Sequence, residues 1–393
     1  MTEVGVSDLR PSARILMGPG PSNVHPRVLR AMATPLVGHL DPEFLQILNE
    51  TKALLQQVMQ TRNDLTLPIS GTGSAGMEAC LTNLIEPGDT VIVGINGLFG
   101  TRMADISHRC GATVVPVEAP WGSTIDPEDV SRALADTRAK LVAIVHAETS
   151  TGVIQPLTEV SRLAHDYGAL LVVDAVTSLG GFPVDVDAWG IDAVYSGTQK
   201  CLSCPPGLAP LSFGERAVRA LDGRRTPVQS WYLDLTMVRR YWEAERFYHH
   251  TAPISMIYAL REALRIILEE GLDARLARHR RNHLALVAGL GAIGLELLPA
   301  EGRRLWTLNA VRVPAGVEEL TIRRRLLAHY NIEIGGGVGE LQGTIWRVGL
   351  MGESSTQNNV LLLLAALADC LKAEGHPADA GAAVAAALEV YGK

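Results

Sequence analysis

Cysteine is scarce: five residues (Cys80, Cys110, Cys201, Cys204, Cys370) in a chain of 393. They are too few and too scattered for a disulfide framework, so reduced thiols are expected. Positive charge is not in excess either. Lysine and arginine total 35 against 42 aspartates and glutamates, a formal net charge of −7, which leaves no basic field for a phosphate backbone and removes nucleic acid from the expected partners. The longest apolar run, Val360 to Ala368, stops at Asp369, well short of the roughly 20 residues that cross a bilayer, so no membrane span is expected. Met1 to Arg14 is mixed in charge, with no basic cluster and no apolar core; no secretory signal is read there, and the protein is expected to be cytoplasmic. There is no repeat of fixed period, no low-complexity tract and no long linker. What remains is 47% hydrophobic residues, ample for a core shared by two or three domains at roughly 150 residues each.

From Leu65 to Phe213 short apolar runs alternate with amphipathic stretches: LTLPI, TVIVG, ATVVPV, KLVAIVH, ALLVV and DAVYS. That alternation predicts an α/β domain with a mainly parallel sheet, and runs apolar on every residue predict strands covered on both faces. Pro253 to Gly271 reads as one helix, opened by proline and closed by glycine, which can bridge two domains. A basic segment around Arg275 to Arg281 reads as a solvated helix face. It leads to a smaller α/β unit: RLWTLNAVRV, then VEELTIRRRLLAHY, TIWRVGL and a final helical pair. Gly335 to Gly337 and Gly339 read as a turn. The first twenty residues, ending GPGP, read as an extended arm.

In open parallel sheets ligands sit at the carboxyl ends of the strands. Three unusual segments occur there. SGTGSAG (Ser70 to Gly76) joins a strand to a helix; its glycines and the helix N-terminus make either an anion cradle or simply a tight turn. Asp174 follows five apolar residues in ALLVVD, as a helix cap, an ion pair or a functional carboxylate. Lys200 follows a strand and a glycine turn in YSGTQK, where apolar walls can lower the pKa of an amine that otherwise belongs on the surface. A phosphate cradle, a carboxylate at a strand end and a lysine are together the parts that pyridoxal 5'-phosphate chemistry needs.

With MGPGPSNVHPRVLRAM, SGTGSAGMEA, HAETSTGVIQPL, VDAVTSLGG, YSGTQKCLSCPPG, YHHT and WRVGL on the page, the chain resembles the class V, fold type I pyridoxal-phosphate aminotransferases, and within them the alanine–glyoxylate and serine–pyruvate aminotransferase family. The resemblance implies a large domain with a mainly parallel seven-stranded sheet and a smaller C-terminal α/β domain, divided as residues 1–20 (arm), 21–262 (large domain) and 263–393 (small domain). It implies that Lys200 is the Schiff-base lysine, that Asp174 partners the pyridinium nitrogen and that Val176 packs on the ring. Gly73 and Ser74 fall on the phosphate loop, and Gln199 on a second phosphate contact. Phe99 stands where relatives commonly stack a tryptophan on the ring, and Thr149 where a serine often meets the ring oxygen. Arg347 matches the arginine that clamps the substrate carboxylate; taken alone, it reads first as a structural ion pair. Ser178 and the backbone at Gly20 match further substrate contacts. Tyr248 and Thr251 resemble residues that reach the phosphate from a neighbouring subunit, which implies a homodimer with shared sites.

The implied activity is transfer of an amino group from a small amino acid, L-alanine first and L-serine second, to an oxo acid, glyoxylate. A second reading within the same chemistry comes from GHLDPEF, TQKCLS and ALEVYGK, which are also similar to ureidoglycine–glyoxylate aminotransferases; His39 lies in the first of these. Cysteine desulfurase chemistry is not expected, because Cys370 falls in a helical segment. Cys201 and Cys204 form one CxxC without a second pair, and His249 and His250 lack acidic partners, so no metal site is expected.

Overall fold

The computed structural model describes residues 8–392; the start of the expected arm, residues 1–7, and Lys393 lie outside the described residues. The six apolar runs are strands: β1 (Leu65–Ser70), β2 (Thr90–Ile95), β3 (Thr113–Glu118), β4 (Leu141–Val145), β5 (Leu170–Asp174) and β6 (Ala193–Tyr195). A seventh, β7 (Leu208–Phe213), completes a sheet of order β1-β7-β6-β5-β4-β2-β3, in which only β7 runs antiparallel. Punctuated by Pro205, Pro206, Gly207 and Pro210, β7 gives little strand signal in the sequence, yet all six of its residues are buried. Leu141–Val145 and Leu170–Asp174 are likewise buried throughout, as expected of central strands with helices on both faces. Among these helices are α1 (Gly73–Leu84), which follows β1, and α2 (Leu98–Arg109), which follows β2.

A second core forms around a three-stranded sheet, β8 (Leu308–Arg312), β9 (Gly335–Gly336) and β10 (Ile345–Gly349), in the order β8-β10-β9. Of the glycines read as a turn, Gly335 and Gly336 form an edge strand instead, while Gly337 and Gly339 lie in the connection that follows it. A Cβ on Gly335 would stand 2.5 Å from Pro19 Cδ, so a side chain there would displace the chain that crosses it. Trp346 is fully buried at the centre of this core, with its indole N–H donating to the Glu319 carbonyl at 3.1 Å.

The two cores are linked by α3 (Ile254–Glu270) and α4 (Leu272–Ala292). Between them Gly271 takes φ +84°, a left-handed conformation that glycine adopts without steric cost. The basic segment on α4 is a solvated face only in part: Arg280 and Arg281 are exposed, whereas Arg275 is buried. Arg275 is 3% exposed, and its guanidinium donates to the Gly180 carbonyl (2.8 Å), the Cys201 carbonyl (2.7 Å) and Glu270 Oε2 (2.7 Å). A buried cation is tolerated when every face is satisfied, and here it pins the loop that follows Lys200. Residues 15–20 also depart from a free arm. Ile15–Leu16 pairs in parallel with Ile332–Glu333, Met17 is fully buried, and its carbonyl accepts from Gly349 N at 2.8 Å. This crossing brings Pro19 and Gly20 to the end of the large sheet.

Candidate active site

At the carboxyl ends of the parallel strands lies a cavity of about 180 Å³, lined by Thr72, Gly73, Ser74, Met77, Phe99, Arg102, Ala147, Thr149, Asp174, Val176, Thr177, Gln199 and Lys200. Eight of these were expected from the sequence, and the fold gathers them from five loops, those after β1, β2, β4, β5 and β6. The cradle comes first in chain order. Thr72 caps α1 through its backbone conformation only, with no side-chain hydrogen bond to the first turn, so the leading N–H groups face the cavity with their partial positive charge. Gly73 must be small: a Cβ there would lie 3.0 Å from Val176 Cγ2.

Asp174 ends β5 and is 2% exposed. Its Oδ1 accepts from Val176 N at 2.8 Å and its Oδ2 from the Tyr195 hydroxyl at 2.7 Å. Burial outweighs both hydrogen bonds and pushes its pKa up to about 7. A carboxylate so placed is costly unless a cation arrives to meet it.

Lys200 answers from the loop after β6. Burial first, then the Arg347 guanidinium, push its amine down to about 8. Its Nζ donates to the Pro19 carbonyl, and Gly20, at φ +109°, lies so close that a Cβ would stand 2.7 Å from Nζ. That is the physical reason for glycine in GPGP. Arg347 sits mid-strand in β10 beside this cavity, not in its wall. It donates from Nε to the Gly336 carbonyl (2.6 Å) and from Nη1 to the Thr149 carbonyl (3.4 Å), and burial lowers its pKa. It makes no salt bridge to a carboxylate among the described residues, which leaves its fork for a substrate carboxylate.

Three expected residues lie outside this wall, two of which, Tyr248 and Thr251, were expected to reach a neighbouring subunit's site and not that of their own chain. Ser178 is fully buried, its hydroxyl 2.9 Å from His146 Nδ1, and its neighbour Thr177 lines the cavity in its place. Burial holds that imidazole near a pKa of about 3, so His146 is a neutral partner. Tyr248 and Thr251 are exposed and outside the cavity; the Tyr248 ring lies 5.2 Å from that of His39. Residues that sequence reasoning did not single out include Tyr195, placed opposite Asp174 by strand register, and Arg102, whose guanidinium lies 5.0 Å from the centre of the Phe99 ring.

The residues present fit pyridoxal phosphate. Gln199 Oε1 is buried in the cavity wall with no partner; turned about its amide, the side chain would present its N–H2 beside the cradle as a donor to a phosphate. Asp174 suits a ring nitrogen, Val176 and Phe99 are apolar walls, and the helix N-terminus is made for an anion.

Residues 16–344 match the family model of class V aminotransferases. The chain belongs to that family: it is a fold type I transaminase that uses pyridoxal 5'-phosphate. Among individual proteins it is 43% identical to the (S)-ureidoglycine–glyoxylate transaminase of Bacillus subtilis, over 98% of this chain and 97% of that one. The crystal structure of ureidoglycine–glyoxylate aminotransferase from the same species superposes with a TM-score of 0.97 at 44% identity, covering 98% of this chain and 100% of the other. The structure of alanine–glyoxylate aminotransferase from Nostoc sp. gives a TM-score of 0.92 at 49% identity, covering 94% and 98% respectively.

Proposed function

We propose that the protein moves the amino group of a small L-amino acid, L-alanine foremost and L-serine second, to glyoxylate, yielding glycine and, from alanine, pyruvate. The observation that carries this reading is the likeness to the alanine–glyoxylate aminotransferase of Nostoc sp., at 49% identity and over 94% of this chain, joined to a site in which Lys200 and Asp174 line one cavity and Arg347 stands beside it with no carboxylate partner among the described residues.

Bound here, pyridoxal phosphate supplies an electron sink for the bond broken at the amino acid Cα. The chain does the rest. Gly73, Ser74 and Gln199 hold the phosphate, Thr149 the ring oxygen and Asp174 a proton at the ring nitrogen. The Arg347 guanidinium grips the substrate carboxylate in a bidentate manner and so fixes the Cα–H direction. Lys200 Nζ, whose pKa burial lowers to about 8 so that roughly a tenth of it is neutral at pH 7, takes the Cα proton. The apolar walls exclude water while it does so.

Ureidoglycine as donor is the second reading, favoured by the superposition on the Bacillus subtilis enzyme over 98% of this chain. Steady-state rates with L-alanine, L-serine and ureidoglycine generated in place, at one glyoxylate concentration, separate the two. The expected result is a kcat/KM for alanine at least about tenfold above that for ureidoglycine, a margin one well-placed contact can give; the reverse order assigns the enzyme to ureidoglycine.

The same proposal includes a homodimer in a cytoplasmic setting. Trp231, Tyr232, Phe247 and Tyr248 are exposed together with Thr251, an aromatic patch of the kind that marks an interface. Sedimentation of that enzyme preparation at twice the chain mass is the expected companion result, and a monomer would remove Tyr248 and Thr251 from the site.

A further inference from the structure

We propose that Glu148 is a positioning residue that fixes the first turn of α2, and with it the Phe99 ring, against the bound cofactor. The proposal rests on the pyridoxal-phosphate reading of the cavity. Glu148 is fully buried yet does not line the cavity, and the reaction assigns it no part. Its Oε2 accepts from Phe99 N at 3.1 Å; its Oε1 accepts from Ser150 N at 3.0 Å and from the Ser150 hydroxyl at 2.6 Å. The Ser150 oxygen in turn accepts from Leu98 N at 3.0 Å. Burial raises the Glu148 pKa above the ordinary glutamate value, and the hydrogen bonds from Ser150 and Phe99 act against that rise; every partner is a donor, the set that an ionised carboxylate needs.

The helix it serves has no cap of its own. Its N-cap residue is Gly97, and glycine is required there because a Cβ would stand 2.4 Å from Glu148 Cδ. The turn at 148–150 therefore supplies, from fifty residues away, the acceptors that Ser, Thr or Asp would normally provide at the cap, together with a negative charge where the helix dipole favours one. Thr149 stands between the two capping residues. It lines the cavity, and its carbonyl accepts from Arg347 Nη1. One three-residue turn thus ties the stacking ring, the cofactor wall and the substrate arginine to each other.

Glu148→Gln keeps the shape but removes the charge and points an amide N–H at backbone N–H groups. The test is a double-mutant cycle with Phe99→Leu. It is read as pyridoxal phosphate affinity from absorbance titration and as the visible circular dichroism of the bound cofactor. The expected result is about tenfold weaker binding and reduced dichroism in Glu148→Gln, the scale of a lost charge-assisted hydrogen bond. In the Phe99→Leu background the same substitution should have little further effect. Equal losses in both backgrounds would overturn the proposal, since a general packing role does not depend on the ring. If Glu148→Gln does not fold, Ser150→Ala enters the same cycle, because it removes only the acceptor for Leu98 N and its link to Glu148. A wild-type protein that takes up no pyridoxal phosphate would overturn the underlying reading and this one with it, whereas cofactor uptake with an additive cycle overturns this one alone.

Discussion

Lys200→Ala is expected to lose at least about 10⁴-fold in turnover, because the variant removes both the nucleophile and the base from the one place where a side-chain amine reaches the cavity. The effect is so large because nothing nearby can substitute. The other charged side chains in the wall are Asp174, which already serves the ring nitrogen, and Arg102, whose guanidinium offers donors only. Water is a poor replacement, since the site that lowers the Lys200 pKa to about 8 does so by excluding it. The same pKa gives the wild-type rate a rising limb with pH, as the amine must be neutral to take a proton. Steady-state and single-turnover assays check both points, and ordinary transamination by the variant would remove Lys200 from the mechanism.

Asp174→Asn is expected to cost about 10³-fold or more in turnover, with weaker cofactor binding, because a neutral amide cannot hold the ring nitrogen protonated. Its effect on stability has the opposite sign. The folded-state pKa is raised from 3.8 to about 7 by burial. The stabilising contribution of the protonated acid is therefore complete below the unfolded pKa and is lost as pH rises through 7. At pH 8 the cofactor-free wild type carries an unneutralised buried carboxylate, and the variant does not. Thermal unfolding of the two cofactor-free proteins at pH 8 should show the variant at least as stable as the wild type, and addition of pyridoxal phosphate should reverse the order. A variant less stable in both states would mean that the Tyr195 and Val176 hydrogen bonds, not the charge, dominate this position.

The residues readable from sequence were those that chemistry makes odd where they stand. An aspartate after five apolar residues, a lysine after a glycine turn and a glycine-rich strand-to-helix loop each announce themselves in one dimension. Strands β1 to β6 were legible as short, largely apolar runs alternating with amphipathic stretches. What stayed hidden depends on distance in the chain. Tyr195 meets Asp174 only because β5 and β6 pair in that register. Glu148 caps a helix that begins fifty residues earlier, so no local capping pattern exists to be found. Strand β7 was masked by its prolines. Arg275 reads as surface charge until the carbonyls of Gly180 and Cys201 are brought to it by the packing of α4. Ser178, which the family likeness set beside the substrate, brings its hydroxyl to 2.9 Å from His146 Nδ1, a partner that position along the chain does not announce.

Reduction of the cofactor-loaded protein with borohydride, followed by peptide mass spectrometry, tests the centre of this account most directly. The chain has five lysines, Lys52, Lys140, Lys200, Lys372 and Lys393. The predicted result is bleaching of the yellow band and one pyridoxyl group per chain, on the peptide that carries Lys200. A label on any other lysine, or a bleached protein without a stoichiometric label at Lys200, would contradict it.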